Sequence, residues 1–120
     1  MSKRILVVDD DDMNLIRAKM ILGKKYNVFL ASSGFEALET LRREEIDLVL
    51  LDIEMPKMNG FETFEQMKEI VADISVIFLT ASGQKDDVVC AIQLGAANYL
   101  KKPFPPEELL NRVAQELAAR

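Results

Sequence analysis

The chain has 120 residues, 49% of them hydrophobic, which is enough to bury one core and too few for two, so residues 1–120 are expected to form a single domain. Its formal net charge of −5 disfavours direct nucleic-acid binding by this domain, which would need a basic face. No apolar stretch approaches the ~18 residues that span a bilayer, no secretory leader precedes the first β-like run, and the lone Cys90 has no disulfide partner in the chain, so a reducing cytoplasm without membrane association is expected.

The first strand is expected over 4–8, and it runs directly into four carboxylates, Asp9, Asp10, Asp11 and Asp12. Helical spacing follows over 12–23, with Asp11 and Asp12 suited to start it. A second strand is expected over 27–31. Ser33 and Glu36 then have the spacing of a capping box at the head of a helix over 34–44. The third apolar run, 48–51, again delivers an acid, Asp52, and a helix is expected over 60–71, with Gly60 allowing the tight loop before it. A strand over 75–80 ends on Thr80, and a helix over 84–95 closes at Gly95. Cys90 falls within that helix among apolar neighbours, where packing is the expected role rather than reactivity. The last strand is expected over 97–100. The last helix, over 106–118, has Pro105, Pro106, Glu107 and Glu108 around its first turn, as a helix dipole favours.

Five β–α repeats imply parallel strands, each returned by a crossover helix, and nearly continuous apolar runs imply a sheet covered on both faces. Ligands of such sheets bind beyond the C-terminal ends of the strands, where Asp9, Asp10, Asp52 and Thr80 fall. Clustered carboxylates repel one another unless a cation joins them or protons are retained, and a hard divalent ion such as Mg²⁺ prefers such oxygens. The chain has no histidine, which excludes a histidine-based zinc site, a Ser-His-Asp triad and a phosphohistidine within it.

The acids of 7–10, the stretch 51–60 with Asp52, Glu54, Met55, Pro56 and Gly60, the pair Thr80 and Ala81, and the stretch 99–104 with Tyr99, Lys102 and Pro103 occur in one order at one end of the strands. Together they make the chain strongly resemble the receiver domain of two-component response regulators over essentially its whole length. The resemblance implies a flavodoxin-like, three-layer α/β/α sandwich with strand order 2-1-3-4-5. It implies Asp52 as the phosphoacceptor, a carboxylate being a competent nucleophile toward phosphorus. Asp9 and Asp10 are implied as the metal-site acids, Asp10 binding Mg²⁺ directly and Asp9 through water, with Asp52 and the backbone carbonyl of Glu54 completing the ligands. Thr80 and Lys102 would serve the phosphoryl oxygens, Lys102 being aimed inward by a cis bond to Pro103, and Thr80 and Tyr99 would form a hydroxyl–aromatic switch pair. Lys101 is expected to be the solvent-exposed neighbour.

The implied function is a signalling switch that takes a phosphoryl group from a histidine kinase or a histidine phosphotransfer protein. It would act on an output domain or a downstream protein and catalyse only its own phosphorylation and dephosphorylation. Glu54 and Ser82 are expected to tune water access. Ala97 and Asn98 stand where many receivers with DNA-binding outputs carry two acids, so a monomer or weak dimer is expected; Asn14 resembles receivers joined to hybrid kinases. A phosphate-independent interaction module, and a fragment of a longer regulator or hybrid kinase, are the alternatives. A haloacid-dehalogenase-type phosphatase lacks its Asp-x-Asp motif here, a nucleotide-binding module lacks its glycine-rich turn, and an EF-hand reading fails at Met13, Asn14 and Met20.

Overall fold

The computed structural model describes residues 2–81 and 98–119. The expected helix over 84–95, with Cys90 and Gly95, lies outside the described residues, as do Ser82 and Ala97. The strands are β1 (Arg4–Val8), β2 (Asn27–Ala31), β3 (Leu48–Asp52), β4 (Val76–Thr80) and β5 (Asn98–Lys101). The described helices are α1 (Asp12–Leu22), α2 (Gly34–Arg43), α3 (Gly60–Ile70) and α4 (Pro106–Ala118). All strand pairs are parallel and the sheet runs β2-β1-β3-β4-β5.

Alternation along the strands divides the core in two. Leu6, Val8, Val49, Leu51, Val76 and Phe78 face one side, where they pack with Ala37, Leu38 and Leu41 of α2 and Phe64 and Met67 of α3. Ile5, Val7, Leu48, Leu50, Ile77 and Leu79 face the other, against Leu15, Ala18 and Leu22 of α1 and Leu109 and Val113 of α4. The result is three layers, with β3 and β4 buried along their whole length. Among the described residues, no helix is long and apolar enough to cross a membrane.

Three strand boundaries differ from the expectation. β3 runs one residue past 51 because Asp52 stays in register with Leu79, and Ile53 N–H still donates to the Leu79 carbonyl at 3.0 Å. β4 starts at Val76 rather than 75, and β5 spans Asn98–Lys101 rather than 97–100. The Lys102 N–H donates to the Thr80 carbonyl at 2.7 Å, which carries the ladder on and sets Lys102 beside Thr80.

Helix starts also depart in one place. Asp11 caps α1, its Oδ1 accepting from Met13 N–H at 2.9 Å. Ser33 accepts from Glu36 N–H at 3.1 Å, but the Glu36 carboxylate reaches past it to the Ser32 hydroxyl at 2.7 Å, so the expected box is not reciprocal. The reciprocal box is at α3, where Asn59 accepts from Glu62 N–H at 2.9 Å and Glu62 accepts from Asn59 N–H at 3.0 Å.

Gly60 fixes how the loop after Asp52 returns. Its N–H donates to the Ile53 carbonyl at 2.9 Å, and a Cβ there would collide with the Asp52 carbonyl and lie 2.8 Å from Ile53 Cα. Both obstacles are backbone and cannot rotate away. Gly60→Ala should therefore lower unfolding stability by about 3 kcal/mol, read from the urea midpoint. An unchanged midpoint would contradict this close packing.

Candidate functional site

Because β1, β3 and β4 are parallel neighbours, their C-terminal ends open on one side of the sheet. There they bring Asp9, Asp52 and Thr80 together; the three residues are 1%, 3% and 1% exposed. Asp10, on the loop after β1, is exposed. One carboxylate oxygen from each of Asp9, Asp10 and Asp52 lies within 4.8 Å of the others. They line an open cleft of about 480 Å³ together with Glu54, Ala81 and Lys102.

Lys102 joins the two buried acids. Its Nζ is 2.6 Å from Asp9 Oδ2 and 3.2 Å from Asp52 Oδ1. Asp9 Oδ1 also accepts from Asp11 N–H at 3.0 Å, so each oxygen of Asp9 has a donor. Burial opposes the charge of Lys102, but its hydrogen bond to Asp9 and the charges of Asp52 and Asp9 outweigh that and hold its pKa above the usual 10.5. It stays an ammonium at physiological pH.

Burial raises the pKa of Asp52 from an ordinary 3.8 to about 7. The Lys102 charge pulls it down, the Asp9 charge pushes it up, the Lys102 hydrogen bond lowers it and the Glu54 charge raises it. Repulsion and desolvation together leave the acid cluster short of positive charge. The donor set is all oxygen, is clustered and includes an exposed acid, which suits a hard divalent cation.

The Lys102-Pro103 peptide is cis. Lys101 is exposed. The Thr80 hydroxyl, expected to serve phosphoryl oxygens, donates to Glu54 Oε1 at 2.9 Å. Tyr99 is on β5 opposite Phe78 and is 38% exposed, and its carbonyl accepts from Arg112 Nη1 at 3.1 Å.

Two contacts were not foreseen. The Glu54 side chain, expected only to tune water access beside its metal-site carbonyl, instead accepts the Thr80 hydroxyl proton at 2.9 Å. Arg17 was also missed. Its Nη2 donates to the Phe104 carbonyl at 2.8 Å and its guanidinium lies 5.2 Å from the Phe104 ring, tying the loop that carries Lys102 to α1. It follows Asn14 by three, so the helical repeat places both on one face, where both line a recess of about 440 Å³ beside the cleft.

Known proteins resemble this chain in sequence and in fold. The model of the family described as "Response regulator receiver domain" matches residues 5–114. The chain is 38% identical over 114 residues to the alkaline phosphatase synthesis transcriptional regulatory protein PhoP of Bacillus subtilis, covering 94% of this chain and 48% of that one. It thus spans about half the length of the curated relatives it matches. Among solved structures, a CheY-like receiver domain protein from Methanospirillum hungatei superimposes with a TM-score of 0.93 at 32% identity, covering 99% of this chain and 96% of that one. The BeF3-activated DrrB receiver domain does so with a TM-score of 0.90 at 33% identity, covering 98% and 99%.

Proposed function

The chain belongs to the response regulator receiver domain family of two-component signalling proteins, and from that premise we propose that it is a switch phosphorylated on Asp52. The observation that carries the reading is the placement of Asp52: buried at the end of β3, bridged by Lys102 and grouped with Asp9 and Asp10.

Phosphoryl transfer asks the protein chiefly for alignment and for neutralisation of the equatorial oxygens. An Asp52 oxygen attacks the phosphorus of a phosphohistidine on a partner kinase or phosphotransfer protein. The new P–O bond forms as the P–N bond breaks, and the imidazole keeps that electron pair. Lys102, already at Asp52, supplies a fixed positive charge to the transferred group, and the Thr80 hydroxyl supplies a hydrogen bond once it turns from Glu54. Mg²⁺, held by Asp10, Asp52 and the Glu54 carbonyl with Asp9 acting through water, would add the positive charge that the acid cluster lacks. Attack of water on the phosphorus breaks the new P–O bond, returning the Asp52 carboxylate and releasing inorganic phosphate, and the domain has no other substrate. The phosphorylated domain then acts on an output region or a downstream protein, as a monomer or weak dimer, in the cytoplasm.

Two outcomes follow in solution. Calorimetry should show Mg²⁺ binding that Asp10→Asn weakens by about tenfold, because the exposed acid is a direct ligand in this reading. Equal affinity in both proteins would contradict the metal assignment.

The second concerns the switch. A tetrahedral anion on Asp52 offers Thr80 a new acceptor, and the movement of Thr80 makes room for Tyr99 to turn inward, altering the surface around β5. The anion need supply only its differential affinity for the two states, a few kcal/mol for a near-complete shift. NMR of wild type and Thr80→Ala, each with and without beryllofluoride, should show Tyr99 responding in the wild type alone. Equal responses in the two proteins would remove the hydroxyl as the coupler.

A further inference from the structure

We propose that the Glu54 carboxylate is a latch on Thr80, competing with the phosphoryl group for the one hydroxyl proton and so setting how tightly the site takes a tetrahedral anion on Asp52. The inference rests on the phosphoacceptor reading above and adds a positioning role for the Glu54 side chain. Thr80 Oγ1 donates to Glu54 Oε1 at 2.9 Å. A hydroxyl carries a single hydrogen, so a phosphoryl oxygen can receive it only after Glu54 gives it up.

The geometry suits a displaceable contact. The loop backbone is held firmly: Ile53 and Met55 are buried on either side of Glu54, and the Ile53 carbonyl accepts from Gly60 N–H at 2.9 Å. The Glu54 side chain itself is exposed and can swing into water. Its bond to Thr80 is longer than the roughly 2.5–2.7 Å of the tightest hydroxyl–carboxylate pairs, so it biases the hydroxyl without locking it. The carboxylate also lines the acid cleft with Asp52, so its negative charge faces an anion held there. Glu54 thus opposes a bound anion twice, through the proton it holds and through its charge.

Those two effects separate in a double-mutant cycle. Beryllofluoride is titrated at saturating Mg²⁺ into wild type, Glu54→Ala, Glu54→Gln, Thr80→Ala and the Glu54→Ala/Thr80→Ala pair. Mg²⁺ affinity is measured separately for each protein, so that an effect on the metal is not read as an effect on the anion. Removing Glu54 should tighten beryllofluoride about tenfold when Thr80 is present and about threefold when it is not, the remainder being charge repulsion. Glu54→Gln, which keeps an acceptor without the charge, should fall between wild type and Glu54→Ala. Thr80→Ser retains the hydroxyl and should restore the full tenfold effect, which guards against a fold defect in Thr80→Ala. Equal fold changes with and without Thr80, or no tightening in Glu54→Ala, would overturn the latch while leaving the phosphoacceptor reading intact. Failure of wild type to take beryllofluoride at all would overturn both.

Discussion

In EDTA at pH 8, the Asp52→Asn protein should melt roughly 15 °C above the wild type, although it has lost its proposed nucleophile. Burial raises the Asp52 pKa from 3.8 to about 7, so the folded chain binds this proton more tightly than the unfolded chain does. A raised carboxyl pKa contributes stability that is fully present below 3.8 and is lost as pH rises through about 7. At about 1.4 kcal/mol per pH unit across that window, the ionised Asp52 costs the metal-free fold on the order of 4–5 kcal/mol. Asparagine keeps the shape and never ionises. Lys102 is not stranded by the change, because Asp9 remains 2.6 Å from its Nζ. The two proteins should therefore converge in stability toward pH 4 and diverge up to pH 8, and saturating Mg²⁺ should narrow the gap by stabilising the wild type. Urea unfolding at pH 4, 6 and 8 checks this. Parallel curves of equal stability would show that Asp52 is not held at a cost.

The same residue shows what was legible in the chain. Asp52 could be marked because a buried strand that ends on an acid is a local feature, and local features survive in sequence. The apolar runs around 48–52 and 76–80 are continuous, so strand identity and burial on both faces followed from pattern alone. The strand order came from the resemblance; periodicity has no means of setting it. Boundaries slipped where a single hydrogen bond decides them, as at Asp52, which the Leu79 pairing keeps in the ladder. The Ser33 box failed for a similar reason, since Ser32 offers Glu36 a hydroxyl as well as a backbone N–H.

What sequence could not give was partnership across distance. Glu54 and Thr80 are 26 positions apart, and Lys102 is 93 from Asp9, so only the folded sheet brings these groups together. The family pattern assigns Thr80 and Lys102 to phosphoryl oxygens and does not say what they hold beforehand. In this chain Lys102 spans two buried acids and Thr80 is engaged by Glu54, so both must be drawn from existing contacts. That prior engagement distinguishes this site from the bare motif.

Loss of the Asp52 carboxylate should have its largest effect on chemistry, where it is complete. An amide at this position has no anionic oxygen to attack phosphorus, and neither Asp9 nor Asp10 replaces it, since Asp9 is held by Lys102 and Asp11 and Asp10 is exposed at the rim of the cleft. Wild type and Asp52→Asn are incubated with Mg²⁺ and a small acyl phosphate donor, and the intact proteins are weighed by mass spectrometry before and after hydroxylamine. The predicted result is one phosphoryl group on the wild type, removed by hydroxylamine as an acyl phosphate must be, and none on the variant. Equal incorporation in Asp52→Asn, or a hydroxylamine-stable phosphate on Thr80 or another hydroxyl, would contradict the claim that Asp52 is the phosphoacceptor.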